Sequence, residues 1–327
     1  MSVISTTQPG PSPMAAQISG KRSAGDRTFA IVALVAGFSV LAILVLIAFS
    51  TTREAWPIFR DRPGEFLFTK RWAPADDKYG ALGFVFGTVV TATLALVLSV
   101  PVSVGVALFV TDVAPAWLRK PVVYVMDLLA VIPSVVFGLW GVLVLNKPAG
   151  TFYGKMSSAL SWIPLVGRLF DKPVSGKSFF TAGVILAIMI TPIISSLARE
   201  VFATTPASEK EAALALGATR WEMIRGSVFP HSKGGLVGAV TLGLGRAMGE
   251  TIAVALVIGS SAQVTAHLFS SGDSLPAVIA NEFGDAEGLK RAALIGCGVV
   301  LFALTVLVNV AATSLVQRSI KRSRGTV

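Results

Sequence analysis

The chain has 327 residues, of which 53% are hydrophobic and 14% charged, with a mean hydropathy of +0.73 and a formal net charge of +10. That composition excludes an ordinary soluble protein, because lipid must replace water around most of the surface. An internal disulfide is excluded by the single cysteine, Cys297, and no basic patch interleaved with aromatics points to nucleic acid.

Residues 1–28 are rich in Ser, Pro, Gly and Gln, which predicts a disordered cytoplasmic tail. A cleaved signal peptide is disfavoured: the apolar run starts late, lasts too long and lacks a small-x-small site after it. Six apolar runs follow, about 29–49, 81–110, 121–145, 179–198, 236–260 and 292–316, each near the roughly 20 residues a helix needs to cross the hydrocarbon core. An all-α integral membrane protein with six transmembrane helices is expected. Residues 29–78 hold the first span and an outer loop, 79–317 form the core, and 318–327 make a basic cytoplasmic tail. Pro101 and Pro133 fall within the second and third runs, where neighbouring helices can satisfy the freed carbonyl and a kink is common.

Orientation rests on the flanks. With both termini inside, the inner segments hold fourteen Lys and Arg and the outer loops thirteen, a difference that decides nothing. Lys21, Arg22 and Arg27, with Arg318, Lys321, Arg322 and Arg324, abut the first and last spans. They outweigh charges in long outer loops, so both termini are placed in the cytoplasm. Anionic membrane lipid is a secondary partner of this basic charge.

Three charges fall inside the apolar runs: Asp127, Arg246 and Glu250. Asp127 lies near the cytoplasmic end of its run, within reach of headgroups or a neighbouring helix end. Arg246 and Glu250 are four apart in the fifth run, so on a continuous helix they share a face and can pair. Arginine at mid-bilayer costs about 2.5–3.5 kcal/mol on insertion scales, so a compensating role is expected. One reading is a buried salt bridge that fixes packing; the other is a polar path. Gly243 on that face, with the Gly245-x-x-x-Gly249 pair, favours close approach or thin walls. A guanidinium fork suits phosphate or carboxylate oxygens, hence an anionic substrate. In the third run Ile132-Pro133-Ser134 interrupts the helix, and Ser134 offers a hydroxyl either to substrate or to its own backbone.

Between the fourth and fifth runs lies a polar segment, 204–235. Ser208 precedes Glu211, and Thr219 precedes Glu222, by three residues, so each pair predicts a capping box. Pro206 suits a first turn, Gly217 a left-handed helix end, and Pro230 a helix stop. Two short helices around a glycine are expected, on the cytoplasmic face.

No G-x-x-x-x-G-K-[ST] loop occurs, and no His, Cys, Asp and Glu cluster has metal-ligand spacing, so neither a nucleotide of its own nor a resident metal is expected. The chain is not expected to be an enzyme.

Glu211-Ala212-Ala213, Gly217 six residues after the glutamate, and Pro230 resemble the EAA loop of ATP-binding-cassette importer permeases. Ser227 and Phe229 depart from the isoleucine and leucine usual before the proline. The resemblance implies the six-helix core of a type I importer permease, and a coupling helix at Glu211, Ala212, Ala213 and Gly217 that docks on an ATPase subunit. Residues 243–251 (Gly-Leu-Gly-Arg-Ala-Met-Gly-Glu-Thr), with 132–138 (Ile-Pro-Ser-Val-Val-Phe-Gly) and 280–283 (Ala-Asn-Glu-Phe), are similar to permeases of the bacterial phosphate-specific transport system. The outer loops look more like the PstC type than its PstA partner. This likeness, covering about 79–317, implies a multi-pass protein of the bacterial plasma membrane that imports inorganic phosphate. It implies Arg246, Glu250 and Ser134 on the translocation path. It also implies a homologous permease, an ABC ATPase dimer that binds the ATP and Mg, and an extracytoplasmic phosphate-binding protein as partners. A permease for sulfate or molybdate would keep the same loop, and a secondary transporter would need no ATPase.

Overall fold

The computed structural model describes residues 24–170 and 175–324. The chain divides into two units, 1–50 and 51–327. Helix α1 (Ala24–Asp61) fills the first unit from Ala24 and ends in the second. Within the first unit its apolar side chains are exposed, Phe29, Leu34 and Phe38 among them, as lipid contact requires, whereas Ala55 and Ile58 in the second unit are buried. The expected disordered tail is thereby shortened: residues 24–28 are helical, and 1–23 lie outside the described residues.

In the second unit α2 (Pro63–Phe68) and the strands β1 (Trp72–Ala73) and β2 (Lys78–Tyr79) follow α1. The strands pair antiparallel, Trp72 opposite Tyr79. The hairpin, Phe66 and α13, introduced below, share a small core with Ala293, Leu294 and Cys297.

Helix α3 (Leu82–Leu108) accommodates Pro101 without a break and ends in a wide π turn, Phe109–Val113. Helix α4 (Ala116–Val131) follows with no buried residue. The third apolar run is not one helix. Ile132 and Pro133 are extended, with ψ of 126° and 140°, because the proline ring pushes the residue before it out of the helical region. Helix α5 (Ser134–Trp140) restarts the chain, passes through a π turn at Gly141–Leu145, and continues as α6 (Asn146–Leu160). The long apolar helix here is thus Ser134–Leu160, displaced from the expected 121–145. A short α7 (Pro164–Leu169) precedes α8 (Phe179–Ala203), which is capped by the Ser178 hydroxyl accepting from the Thr181 amide at 3.2 Å.

The polar segment holds α9 (Ala207–Ala215) and α10 (Arg220–Met223). A π turn, Ile224–Val228, joins α10 to α11 (Phe229–Gly249) without interruption. Pro230 therefore does not stop the second helix as expected. The wide turn gives its ring room against the preceding carbonyls, and near the start of α11 it loses little.

The fifth run also breaks. Glu250 is extended, with φ −69° and ψ 125°, and α12 (Ile252–Val257) begins after Thr251. A looped segment leads to α13 (Leu275–Glu282) and then to α14 (Gly288–Arg324), which carries the expected basic tail as helix as far as Arg324. Among the described residues, five helices are long and apolar enough to cross a membrane: Gly25–Asp61, Leu82–Val113, Ser134–Leu160, Phe179–Ala203 and Gly288–Ser314. The remaining run, the fifth, is the broken pair α11 and α12.

The main core is built by α3, α8, α11, α12 and α13, with Phe179, Ile185, Ile190, Ile194, Met248 and Val257 at its centre. Helices α3 and α11 both lie along α8. Gly243 makes the second approach close, since a Cβ there would meet Ile194 Cδ1 at 2.6 Å. At the other end of the bundle, the chain before α13 presses on α3: the Asp273 carbonyl lies where a Gly87 Cβ would be, and the Leu275 amide donates to Thr88 Oγ1 at 3.0 Å.

Candidate functional site

Two interrupted helices come together. A Cβ on Gly138 of α5 would lie 2.9 Å from Ala253 Cα and 2.7 Å from Leu256 Cδ1, and one on Gly141 would meet Val257 Cγ1 at 2.8 Å. These contacts advance together along both segments, so α5 and α12 run in the same direction and begin side by side. Ser134 opens the first and Glu250 precedes the second. Residues 132–138, which open α5, and residues 243–251, which precede α12, thus lead into two helices that pack on each other.

The break decides what Glu250 does. Because the backbone leaves the helix at Glu250, the four-residue spacing no longer puts its side chain over Arg246, and no ion pair joins them among the described residues. The expected pairing is corrected accordingly. The Glu250 carboxylate instead accepts from the Ala253 amide at 3.4 Å, satisfying one of the orphan donors at the start of α12. Thr251 Oγ1 donates back to the Gly249 carbonyl at 3.2 Å.

Arg246 is exposed to an open cavity of 540 Å³ lined by Ile193, Gly238, Thr241, Leu242, Gly245, Asn309 and Thr313. Gly245 and Gly249 have nothing within 4 Å of a built Cβ, so within this chain they thin a wall rather than bring helices together. Thr241 and Asn309 add polar groups from α11 and α14 that the sequence reading passed over. The signal was present: Asn309 is the one carboxamide in 292–316. The Oγ1 of Thr241 and Oδ1 of Asn309 are buried without hydrogen-bond partners, which is costly in an apolar setting. Asp127 lies on α4 beside a small cavity shared with Ser195, Ser196 and Arg199.

The polar segment is a second site, and its tip is apolar. Leu216 is 90% exposed and Trp221 60%, flanking Gly217, whose φ is +87°. That left-handed conformation favours glycine and lets the chain reverse after α9. Thr219 forms the expected capping box: its amide donates to Glu222 Oε2 at 2.8 Å, and the Glu222 amide donates to Thr219 Oγ1 at 3.3 Å. The bonds from Thr219 hold the Glu222 carboxyl below its ordinary range. The box expected from Ser208 and Glu211 does not form. Pro206 takes the cap position of α9 with no side-chain bond, so Ser208 lies one residue inside the helix. Glu211 and Ala212 are exposed, and Ala213 is partly buried against the apolar cluster that includes Ala107, Leu108 and Met223.

Sequence comparison adds relatives. Residues 99–321 match the family described as the binding-protein-dependent transport system inner membrane component. A phosphate transport system permease protein PstC of Xylella fastidiosa is 46% identical over 255 residues, covering 77% of this chain and 78% of that one. The PstC of Haemophilus influenzae is 41% identical over 270 residues, covering 82% and 86%. In fold, the chain is similar to a solved bacterial alginate ABC transporter in complex with an alginate-bound periplasmic protein, with a TM-score of 0.62, 17% identity and coverage of 90% of this chain and 96% of that one. The chain therefore belongs to the family of binding-protein-dependent transport system inner membrane components.

Proposed function

We propose that this chain is one of two permease subunits of an ATP-driven phosphate importer. The observation that carries the reading is the packing of α5, which opens within 132–138, on α12, which follows 243–251, with Arg246 facing a cavity, in a chain 46% identical to a phosphate permease. Phosphate at neutral pH carries one to two negative charges. The Arg246 guanidinium offsets part of the cost of stripping its water, through charge-assisted hydrogen bonds. Glu250 holds the start of α12 in place, and Ser134 presents a hydroxyl at the adjoining start of α5. Gly245 and Gly249, open in this chain, suit a path completed by a homologous permease.

The segment around Glu211, Ala212, Ala213 and Gly217 meets an ATPase subunit, which binds the ATP and Mg. Leu216 and Trp221 supply apolar contact area there. This places both termini in the cytoplasm and the hairpin and α13 outside, where an extracytoplasmic binding protein delivers phosphate. Displacement of α9 then reaches Arg246 and Glu250 along the unbroken helix from Arg220 to Gly249.

Reconstitution with a homologous permease, the ATPase and the binding protein in proteoliposomes tests the reading. ATP-dependent uptake of labelled phosphate, undiminished by excess sulfate or molybdate, is expected. Uptake that persists without the ATPase would instead mark a secondary transporter, and competition by sulfate or molybdate a permease for another oxyanion.

A further inference from the structure

Helix α9 has no buried residue, yet one of its side chains reaches into the bundle. Lys210 Nζ donates to Asp112 Oδ1 at 2.7 Å, across 98 positions in sequence, with the two side chains only 19% and 7% exposed. Asp112 sits in the π turn that ends α3, and its other oxygen, Oδ2, is buried with no partner. The same corner is held from α4, where Arg119 donates to the carbonyls of Thr111 and Ala114 at 3.4 and 3.5 Å. The remaining ties of α9 are slight. Ala213 packs against the apolar cluster that holds Met223, Ile224 and Val228, and Glu209 stands 3.9 Å from the half-exposed His231.

A buried ion pair with one carboxylate oxygen unsatisfied is a poor source of stability, since desolvation consumes much of its attraction. Its geometry is what distinguishes it. The chain already joins α9 to α11 covalently, through α10 and the π turn at Ile224–Val228. The only charge-paired link from α9 to α3 among the described residues is Lys210 to Asp112. Helix α3 in turn lies along α8 over most of its length, and Ser103 Oγ donates to the Thr191 carbonyl at 3.1 Å.

We infer that Lys210 and Asp112 are positioning residues for transport: their ion pair is a second strut that ties α9 to the end of α3, so that displacement of the coupling segment reaches the packed core of α3, α8 and α11 at two points rather than one. The inference rests on the reading that this segment docks on an ATPase. Without the strut the ATPase still binds at Leu216 and Trp221 and still hydrolyses ATP, but α9 moves against the packed core and cycles slip.

The test uses the assembled transporter in proteoliposomes, recording ATP hydrolysis and phosphate uptake in the same vesicles. Lys210→Met, Asp112→Asn and the doubly neutral combination are compared with Lys210→Arg, which keeps the charge. The double variant leaves no unpaired buried charge, so it assembles even where a single change does not. Phosphate carried per ATP should fall about fivefold or more in the neutral variants and stay near the original value in Lys210→Arg, with ATPase retention unchanged. An unaltered ratio in the doubly neutral variant overturns the inference. Hydrolysis without phosphate import by the original chain would overturn the functional reading instead, and the two failures are read on different samples.

Discussion

Gly138 stands so close to Ala253 that a single methyl group on it would lie 2.9 Å from the Ala253 Cα. That neighbour is backbone and cannot rotate away. Gly138→Val should therefore prise α5 from α12 at a cost of about 1–3 kcal/mol, and lower phosphate uptake about tenfold or more in complexes that still purify intact. Gly105→Ala is the control. Nothing lies within 4 Å of a Cβ at Gly105, and alanine in a helix interior is favoured by roughly 1 kcal/mol, so uptake should be unchanged.

Arg246 and Glu250 should separate in their phenotypes, because the structure gives them different work. Arg246→Glu replaces a donor fork with a repelling charge at the cavity, and uptake should fall about a hundredfold while the subunits still copurify. Glu250→Gln keeps an acceptor for the Ala253 amide and should retain the thermal unfolding midpoint. Glu250→Ala removes it and should cost about 1 kcal/mol, the usual worth of a helix-start acceptor. Unfolding midpoints of the two variants in detergent, beside uptake of Arg246→Glu, check the division.

At the tip between α9 and α10, Gly217→Val forces a branched side chain into a left-handed conformation, at a cost of about 1–2 kcal/mol. The reversal after α9 should loosen, and less ATPase should be retained on an affinity column. Leu216→Asp leaves the backbone alone and should lower retention through lost apolar contact, since Leu216 is 90% exposed. Unfolding curves should distinguish them, with a shift for Gly217→Val and none for Leu216→Asp.

Asp273 lies in the loop before α13, buried at 6% exposure, its Oδ1 accepting from the Ser274 amide at 2.8 Å. Burial pushes its carboxyl up to about 7; the Ser274 bond opposes this, and the Glu282 charge adds to it. An acid held above its unfolded value favours the folded state while protonated. That stability is complete below about pH 4 and is lost as pH rises toward 7, by up to about 4 kcal/mol. Asp273→Asn keeps the acceptor without the charge. The original chain should lose unfolding midpoint between pH 4 and 7 in detergent, and Asp273→Asn should lose less. Parallel pH profiles for the two would remove Asp273 as the cause.

Much of the architecture is legible because bilayer thickness fixes the length of an apolar run, and residues 81–110 and 179–198 read directly as α3 and α8. Thr219 and Gly217 were legible for a local reason: a cap and a left-handed turn are decided within four residues. Ser208 and Glu211 have the same spacing as Thr219 and Glu222, yet Pro206 takes the cap and the pattern goes unused. The break at Glu250 has no proline to announce it, so the fifth run reads as a continuous helix and the pairing with Arg246 follows falsely. Lys210 and Asp112 meet only through the fold, and neither residue carries a local signal of the other.

The π turn at Ile224–Val228 holds more chain per turn than an α-helix does, and this sets the rotational phase of everything before it. Rewinding the same residues as ordinary α-helix, with none removed, would swing Arg220–Met223 by about 100°, one residue's rotation, relative to α11. Met223 and Ile224 would leave the apolar cluster beneath α9, and the Leu216 and Trp221 tip would face another direction. The loop behaves as the bit of a key, cut at an angle that one inserted residue fixes, so its sequence can be intact and still present the wrong edge to the lock.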